Sequence, residues 1–270
     1  MSATIVPIAS PDDPRIVAYR TVRDRDVSGH GDHFVAEGEV VLRILVRPGG
    51  RCSPVSLLVS DKRLPRLAPL IEPLPADVPV YVAGQGVMDA VAGFAIHRGI
   101  LAIGRRPADP GAAALLARLS SRALVVGLFG VGNHDNMGGL FRNAAAFGVG
   151  AVLLDPRCCD PLYRKAIRVS VGGALTVPFA RLADGVDMLD TLAAADFAAL
   201  ALSPRGDADL GAVGRPPRAA VLFGAEGPGL PADVLARTRA VRIPMAAGWD
   251  SLNVASSSAI VLNALATLGV

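Results

Sequence analysis

At 270 residues the chain has room for one large domain or two ordinary ones. Its residues are 51% apolar but only 4% aromatic, and 27 basic against 24 acidic side chains leave a net charge of +3. A core of Ala, Val and Leu is therefore expected, and a long basic tail is excluded as a route to nucleic acid. Three cysteines, Cys52 and the neighbours Cys158 and Cys159, have neither framework nor CxxC spacing, which argues against a secreted disulfide scaffold and a thiolate zinc site. The N-terminal MSATIVPIASPDDPR lacks a basic start followed by a sustained apolar run. The most apolar long stretch, 254–270, is interrupted by Ser256, Ser257, Ser258 and Asn263. A soluble, cytoplasmic protein without membrane or metal is the expectation.

In chain order, residues 1–11 read as a loose lead-in, and 12–26 as a short helix whose Arg15, Arg20, Arg23 and Arg25, interleaved with Asp24 and Asp26, form a solvated face. The stretch Phe34-Val-Ala-Glu-Gly38 leads into a helix over 40–46, stopped by Pro48-Gly-Gly50. Strands over 55–59 and 78–82 alternate with helices over 61–70 and 87–94, and His97-Arg-Gly-Ile100 turns into a strand over 100–103. This alternation predicts a small α/β layer unit over 1–107. Pro107, Pro110 and Gly111 mark a boundary, with a linker and Ala- and Leu-rich helix over 108–120.

A second α/β domain is expected over 121–270. The apolar run 123–129 reads as a buried strand, and 136–147 as a helix capped by Asn136 or Asp135. Strands follow over 151–154, 176–179, 197–202, 219–223 and 240–243, with helices over 162–169, 186–194, 231–238 and 253–268. Such apolar strands suit a mostly parallel sheet covered on both faces.

Three blocks carry chemistry. The first is 133–148, NHDNMGGLFRNAAAFG, where Gly138 and Gly139 let something approach the backbone and Arg142 stands alone in a small, apolar helix. The second runs from Val221 to Leu230, with Glu226 as one acid among glycines beyond the end of a strand. The third runs from Ile243 to Asn253, where Ser251 and Asn253 open the last helix and capping accounts for one of them. Gly130-Val-Gly132 starts like a dinucleotide fingerprint but does not complete it, and neither GxxxxGK[ST] nor GxSxG is present. His30, His33, His97 and His134 have no ligand spacing.

In this order the blocks resemble the SpoU-like (TrmH-type) branch of the SPOUT RNA methyltransferases. The carriers are Asn136…Gly138…Arg142-Asn-Ala…Phe147-Gly148, Phe223-Gly-Ala-Glu226-Gly-Pro-Gly229 and Ile243-Pro-Met…Ser251-Leu-Asn253-Val. A weaker match is Ser170-Val-Gly-Gly-Ala174 before Pro178. The resemblance covers 121–270; Phe34-Val-Ala-Glu-Gly38 and His97-Arg-Gly-Ile100 look like the family's small, ribosomal-protein-like RNA-binding domain. It implies a C-terminal trefoil-knotted domain, S-adenosylmethionine as cofactor, a homodimer with sites completed across the interface, and methyl transfer to a ribose 2′-hydroxyl of rRNA or tRNA. By position it implies Arg142, Asn136, Glu226 and Asn253 as catalytic residues, and Leu222, Gly224, Ile243, Met245, Ser251 and Leu252 at the cofactor. Arg142 would activate or orient the hydroxyl, with Glu226 orienting Arg142 or Asn136.

The chain departs from the family pattern where Asn133-His134 replaces Asp-Pro, and where Val254-Ala-Ser-Ser257 replaces Val-Ser-Val-Ala. Two alternatives stay open at this level: a non-catalytic RNA-binding protein that keeps the knot, and a knotted enzyme that methylates a base.

Overall fold

The computed structural model describes residues 3–23, 32–93 and 99–267. They form two compact units, Met1–Pro107 with Leu162–Thr176, and Ala108–Pro161 with Val177–Val270.

The first unit contains β1 (Ile5–Ile8), a 3-10 helix (Pro14–Arg23), β2 (His33–Glu37), α1 (Glu39–Leu45), β3 (Ser53–Ser60), α2 (Leu64–Ile71), β4 (Val80–Ala83), α3 (Gln85–Ala92) and β5 (Ile100–Arg105). Its sheet has the order β1-β4-β3-β5-β2, parallel from β1 to β3 and antiparallel across β5. Phe34 sits opposite Gly104 in the β2–β5 register, and its ring occupies the space a side chain at Gly104 would need.

Two expectations are corrected here. The lead-in is not loose, because Ile5–Ile8 adds a parallel edge strand to β4; four residues are too few for a period to show. The segment expected as a short helix is a tighter 3-10 helix; Arg15 on it is exposed, while Ile16 and Tyr19 are fully buried. The Tyr19 hydroxyl lies 2.7 Å from Ser56 Oγ, and burial holds the phenol above its ordinary pKa range. Asp24, Arg25, Asp26, Phe94, His97 and Arg98, and the end of the last expected helix at Leu268, lie outside the described residues.

The chain continues through α4 (Ala112–Ala117), β6 (Ala123–Leu128), α5 (His134–Ala146) and β7 (Ala151–Leu154). It then forms α6 (Arg164–Val169) and α7 (Gly173–Thr176), which pack with the first unit although they fall inside the stretch expected as one domain. Arg164 Nη1 donates to Glu37 Oε2 at 2.7 Å, and Arg168 Nη1 stands 4.0 Å from the same oxygen. Glu37 is buried, so the carboxylate depends on these cations for its partners. At Gly172, φ is +84° and a Cβ would meet Ile44 Cδ1 at 2.5 Å, so only glycine lets the turn before α7 lie on α1.

Removing the Glu37 carboxylate takes away the acceptor that stands 2.7 Å from Arg164 Nη1. Glu37→Ala is expected to lower the unfolding free energy by about 1–3 kcal/mol. Glu37→Gln, which keeps an acceptor, should cost less. Urea denaturation of both variants checks this, and equal losses would assign the whole effect to the charge and none to the acceptor that glutamine keeps.

The second unit continues with β8 (Phe179–Arg181), α8 (Met188–Ala193), β9 (Ala198–Leu202), β10 (Ala208–Asp209), β11 (Arg218–Phe223), α9 (Ala232–Ala236), β12 (Arg239–Arg242) and α10 (Val254–Thr267). The strand expected over 176–179 is displaced. Val171 and Gly172 both take positive φ, reversing the chain into α7, and the strand starts only beyond Pro178.

All seven strands of this sheet are parallel, in the order β10-β12-β9-β11-β6-β7-β8. β6 is buried at every residue, as a parallel strand covered on both faces must be. On one face, Leu116 of α4, Met188 and Leu192 of α8 and Val234 of α9 close over Val125, Leu153 and Leu222. Gly127 makes room in β6, since a Cβ there would stand 2.6 Å from Leu222 Cδ2 and 2.7 Å from Met188 Sδ. Elsewhere α5 and α10 pack together closely enough that a Cβ at Gly139 would meet Ala255 Cβ at 2.5 Å. What approaches the glycine pair of the first block is thus the last helix. Asn143 fastens the same contact, its Nδ2 donating to Ala255 O at 2.7 Å and to Ser258 Oγ at 2.8 Å.

Candidate active site

Beyond β6 the chain turns at Gly130 and enters α5. The cap of α5 is Asn133, not Asn136 or Asp135. Its Oδ1 accepts from the Asp135 N–H at 2.8 Å and the Asn136 N–H at 3.3 Å. The replacement of Asp-Pro by Asn133-His134 therefore falls on the cap and the first residue of the helix, and the capping acceptor is kept.

With the cap supplied elsewhere, the Asn136 side chain is available for another task. Asn136 is 5% exposed; its Nδ2 donates to Glu226 Oε1 and its Oδ1 accepts from Asn253 Nδ2 at 2.8 Å. Asn253 Nδ2 also lies 3.4 Å from Glu226 Oε1. The other end of Asn253 caps α10, with Oδ1 accepting from the N–H groups of Ala255 at 2.9 Å and Ser256 at 3.3 Å. Of the two candidates for that cap, Asn253 and Ser251, the structure selects Asn253. Ser251 Oγ instead bonds Asp250 Oδ1 at 3.2 Å.

Glu226 reaches this cluster from a tight loop after β11. Gly229 N–H donates to Ala225 O at 3.0 Å, and Gly227 and Gly229 take φ of +82° and +71°. The carboxylate thus meets the first turn of α5 and the cap of α10 together, where the helix dipoles favour negative charge. Three side chains far apart in sequence form one hydrogen-bonded cluster: an acid and two amides.

Arg142 does not join it. Six residues beyond Asn136, it is turned by about 120° around the helix from the face that carries Asn136 and Asn143. It is exposed and makes no hydrogen bond or ion pair among the described residues. Of the two residues that Glu226 was expected to orient, Asn136 is bonded to it within one chain and Arg142 is not.

Beside the cluster lies a cavity of about 420 Å³ at the carboxyl ends of the adjacent strands β12, β9 and β11. That is where parallel α/β sheets hold ligands. Gly224, Ile243, Met245, Ser251 and Leu252 line it, as do Glu226 and Asn253. Leu222 does not; one residue before the strand end, its side chain is buried in the opposite core. Gly224 packs tightly against the loop that carries Glu226, since a Cβ there would lie 2.1 Å from the carbonyl carbon of Gly229. The sequence reading missed Leu202, which ends β9, and Ser203 and Pro204 after it, although a strand end followed by Ser-Pro was the available signal. It also missed Ser257, buried one helical turn beyond Asn253.

Burial first, then the charges of Asp155 and Asp160 respectively, push the thiols of Cys158 and Cys159 up to about 12 and about 11. Both stay protonated near neutral pH, which removes them as nucleophiles. Among the described residues no group of three or more His, Cys, Asp or Glu is placed to hold a metal ion, and no helix is long and apolar enough to cross a membrane.

Residues 123–263 match the family model of the SpoU rRNA methylases. A Mycobacterium tuberculosis (strain H37Rv) protein named an uncharacterized tRNA/rRNA methyltransferase is 41% identical over 263 residues, 94% of this chain and 88% of its own. The 23S rRNA (guanosine-2′-O-)-methyltransferase RlmB of Escherichia coli (strain K12) is 30% identical over 204 residues, 73% of this chain and 83% of its own. Among solved structures, an AdoMet-bound rRNA methyltransferase from Sinorhizobium meliloti superposes with a TM-score of 0.80 at 21% identity, over 96% of this chain and 97% of that one. At that identity the likeness establishes the α/β fold.

Proposed function

The chain belongs to the SpoU rRNA methylase family, and we propose that it transfers a methyl group from S-adenosylmethionine to a ribose 2′-hydroxyl of ribosomal or transfer RNA. The observation that carries this reading is the Asn136–Glu226–Asn253 cluster at the edge of a strand-end cavity. The residues fit the cofactor. The cavity falls within the usual size range for small-molecule sites. Its walls are apolar at Leu202, Phe223, Ile243, Met245 and Leu252, with hydroxyls at Ser203, Ser251 and Ser257. When bound, S-adenosylmethionine supplies an electrophilic methyl group on a sulfonium.

The protein's share is to place the hydroxyl and shape the field around it. Glu226 holds the Asn136 amide in one orientation by a charge-assisted bond, and Asn253 ties that pair to the end of α10. A 2′-hydroxyl is a weak nucleophile and also needs a cation nearby. A guanidinium keeps its proton, so Arg142 clamps phosphate and polarises the hydroxyl. Its exposure, away from the cluster of its own chain, supports a homodimer in which Arg142 serves the cluster of the second copy.

The same reading includes a trefoil knot in the second unit, RNA binding by the first, and a cytoplasmic location. Incubating the protein with methyl-labelled cofactor and RNA, then digesting to nucleosides, tests it. Label in 2′-O-methyl nucleosides is expected. Label in a base would replace the reading with a base methyltransferase, and cofactor binding without transfer to any cellular RNA would defeat it.

A further inference from the structure

Between Met245 and Ser251, both of which line the cavity, the chain leaves the wall and returns. The excursion is a turn closed by the Trp249 N–H to Ala246 O at 3.2 Å, with Gly248 at φ +87° and nothing within 4 Å of a Cβ there. Every residue over 246–253 is exposed. At its tip stands the only tryptophan of the chain, 73% exposed, followed three residues later by Leu252 at 46%. A large aromatic ring set in water on a turn of small and polar residues does not serve the core of its own chain.

We propose that Trp249 is a stacking platform for an unpaired base of the RNA substrate, holding the target nucleotide or its neighbour over the cavity mouth. The assignment rests on the methyltransferase reading above. Unpaired nucleotides are what an RNA-modifying site can splay out, and an exposed indole is the side chain that captures a base face without regard to its identity. Position favours this partner, since Trp249 lies four residues before Asn253, which bonds Asn136 and Glu226, and two before Ser251 in the cavity wall. The ring adds binding without charge, so its contribution should persist as salt weakens the phosphate contacts.

A single tryptophan makes the test direct. Full-length protein is titrated with an RNA stem-loop carrying an unpaired loop, and separately with S-adenosylhomocysteine, while indole emission is followed. RNA should quench the emission and S-adenosylhomocysteine should leave it nearly unchanged. Trp249→Ala should weaken RNA binding about tenfold, the effect of one lost base–aromatic stack. Its S-adenosylhomocysteine affinity and sedimentation should be unaltered, and Trp249→Phe should recover most of the loss. Quenching by S-adenosylhomocysteine alone, with cofactor affinity lost in Trp249→Ala, would overturn the proposal and make the ring a cofactor cover. A change in oligomeric state in that variant would overturn it in favour of a subunit contact. Normal methylation with emission unmoved by RNA defeats only the stacking role, whereas a wild-type protein that binds neither cofactor nor RNA defeats the methyltransferase reading itself.

Discussion

Arg142→Ala is expected to slow methyl transfer on the order of 10²–10³-fold, the usual effect of removing a charge-stabilising donor, while S-adenosylmethionine affinity stays within about twofold. The separation follows from placement. Arg142 projects from α5 away from the Asn136–Glu226–Asn253 cluster and is not among the residues lining the cavity. Its loss therefore leaves the cofactor walls intact. If each site draws its arginine from the other copy, Arg142→Ala and Glu226→Ala proteins, each inactive alone, should complement when mixed. Random reassortment would restore about a quarter of wild-type activity, because half the dimers are mixed and each has one intact site. Single-turnover assays with the two variants refolded together provide the measurement. Absence of recovery would place Arg142 and Glu226 in one chain's site, and a large loss of cofactor affinity in Arg142→Ala would remove it from substrate chemistry.

The second large effect is expected at Gly224. An added methyl there would stand 2.1 Å from the carbonyl carbon of Gly229, 2.3 Å from its oxygen and 2.3 Å from Leu230 N. These are backbone atoms, so no rotamer change relieves the overlap and the loop carrying Glu226 must move. Gly224→Ala should lower the unfolding free energy by about 1–3 kcal/mol. It should also weaken S-adenosylmethionine binding by about tenfold or more, since a displacement on the order of 1 Å is enough to spoil a positioned site. Gly227→Ala is the control. Nothing lies within 4 Å of that position, but its φ of +82° is strained for a side chain, at a cost of about 1–2 kcal/mol. Urea denaturation and titration calorimetry on both variants separate overlap from strain. Wild-type cofactor affinity in Gly224→Ala would show that the Gly224–Leu230 contact does not shape the cavity.

Much of the layout is legible in the sequence. The apolar run at 123–129 became β6, the Ala-rich stretch after Asn133 became α5, and Glu226 fell beyond a strand end as its glycine neighbours indicated. Those features are local, because burial on both faces, helical period and turn residues leave their mark within a few positions. Errors arose where elements were too short to show a period, as at Ile5–Ile8, or where positive φ at Val171 and Gly172 broke the pattern before β8.

The amino-acid order by itself determined which residues could do chemistry: one arginine, one carboxylate and two amides in three separate blocks. Only the tertiary structure decided which of them meet. Asn136 and Asn253 stand 117 residues apart, yet they share a hydrogen bond because α5 and α10 pack at Gly139 and Ala255. Arg142 shares a helix with Asn136 but points elsewhere, since the helical rotation, not proximity in the chain, sets direction. Likewise Glu37 finds Arg164 127 residues away, inside the Leu162–Thr176 segment that groups with the first unit. Pairings of that kind are written in packing and buried charge, and no short window of sequence contains both partners.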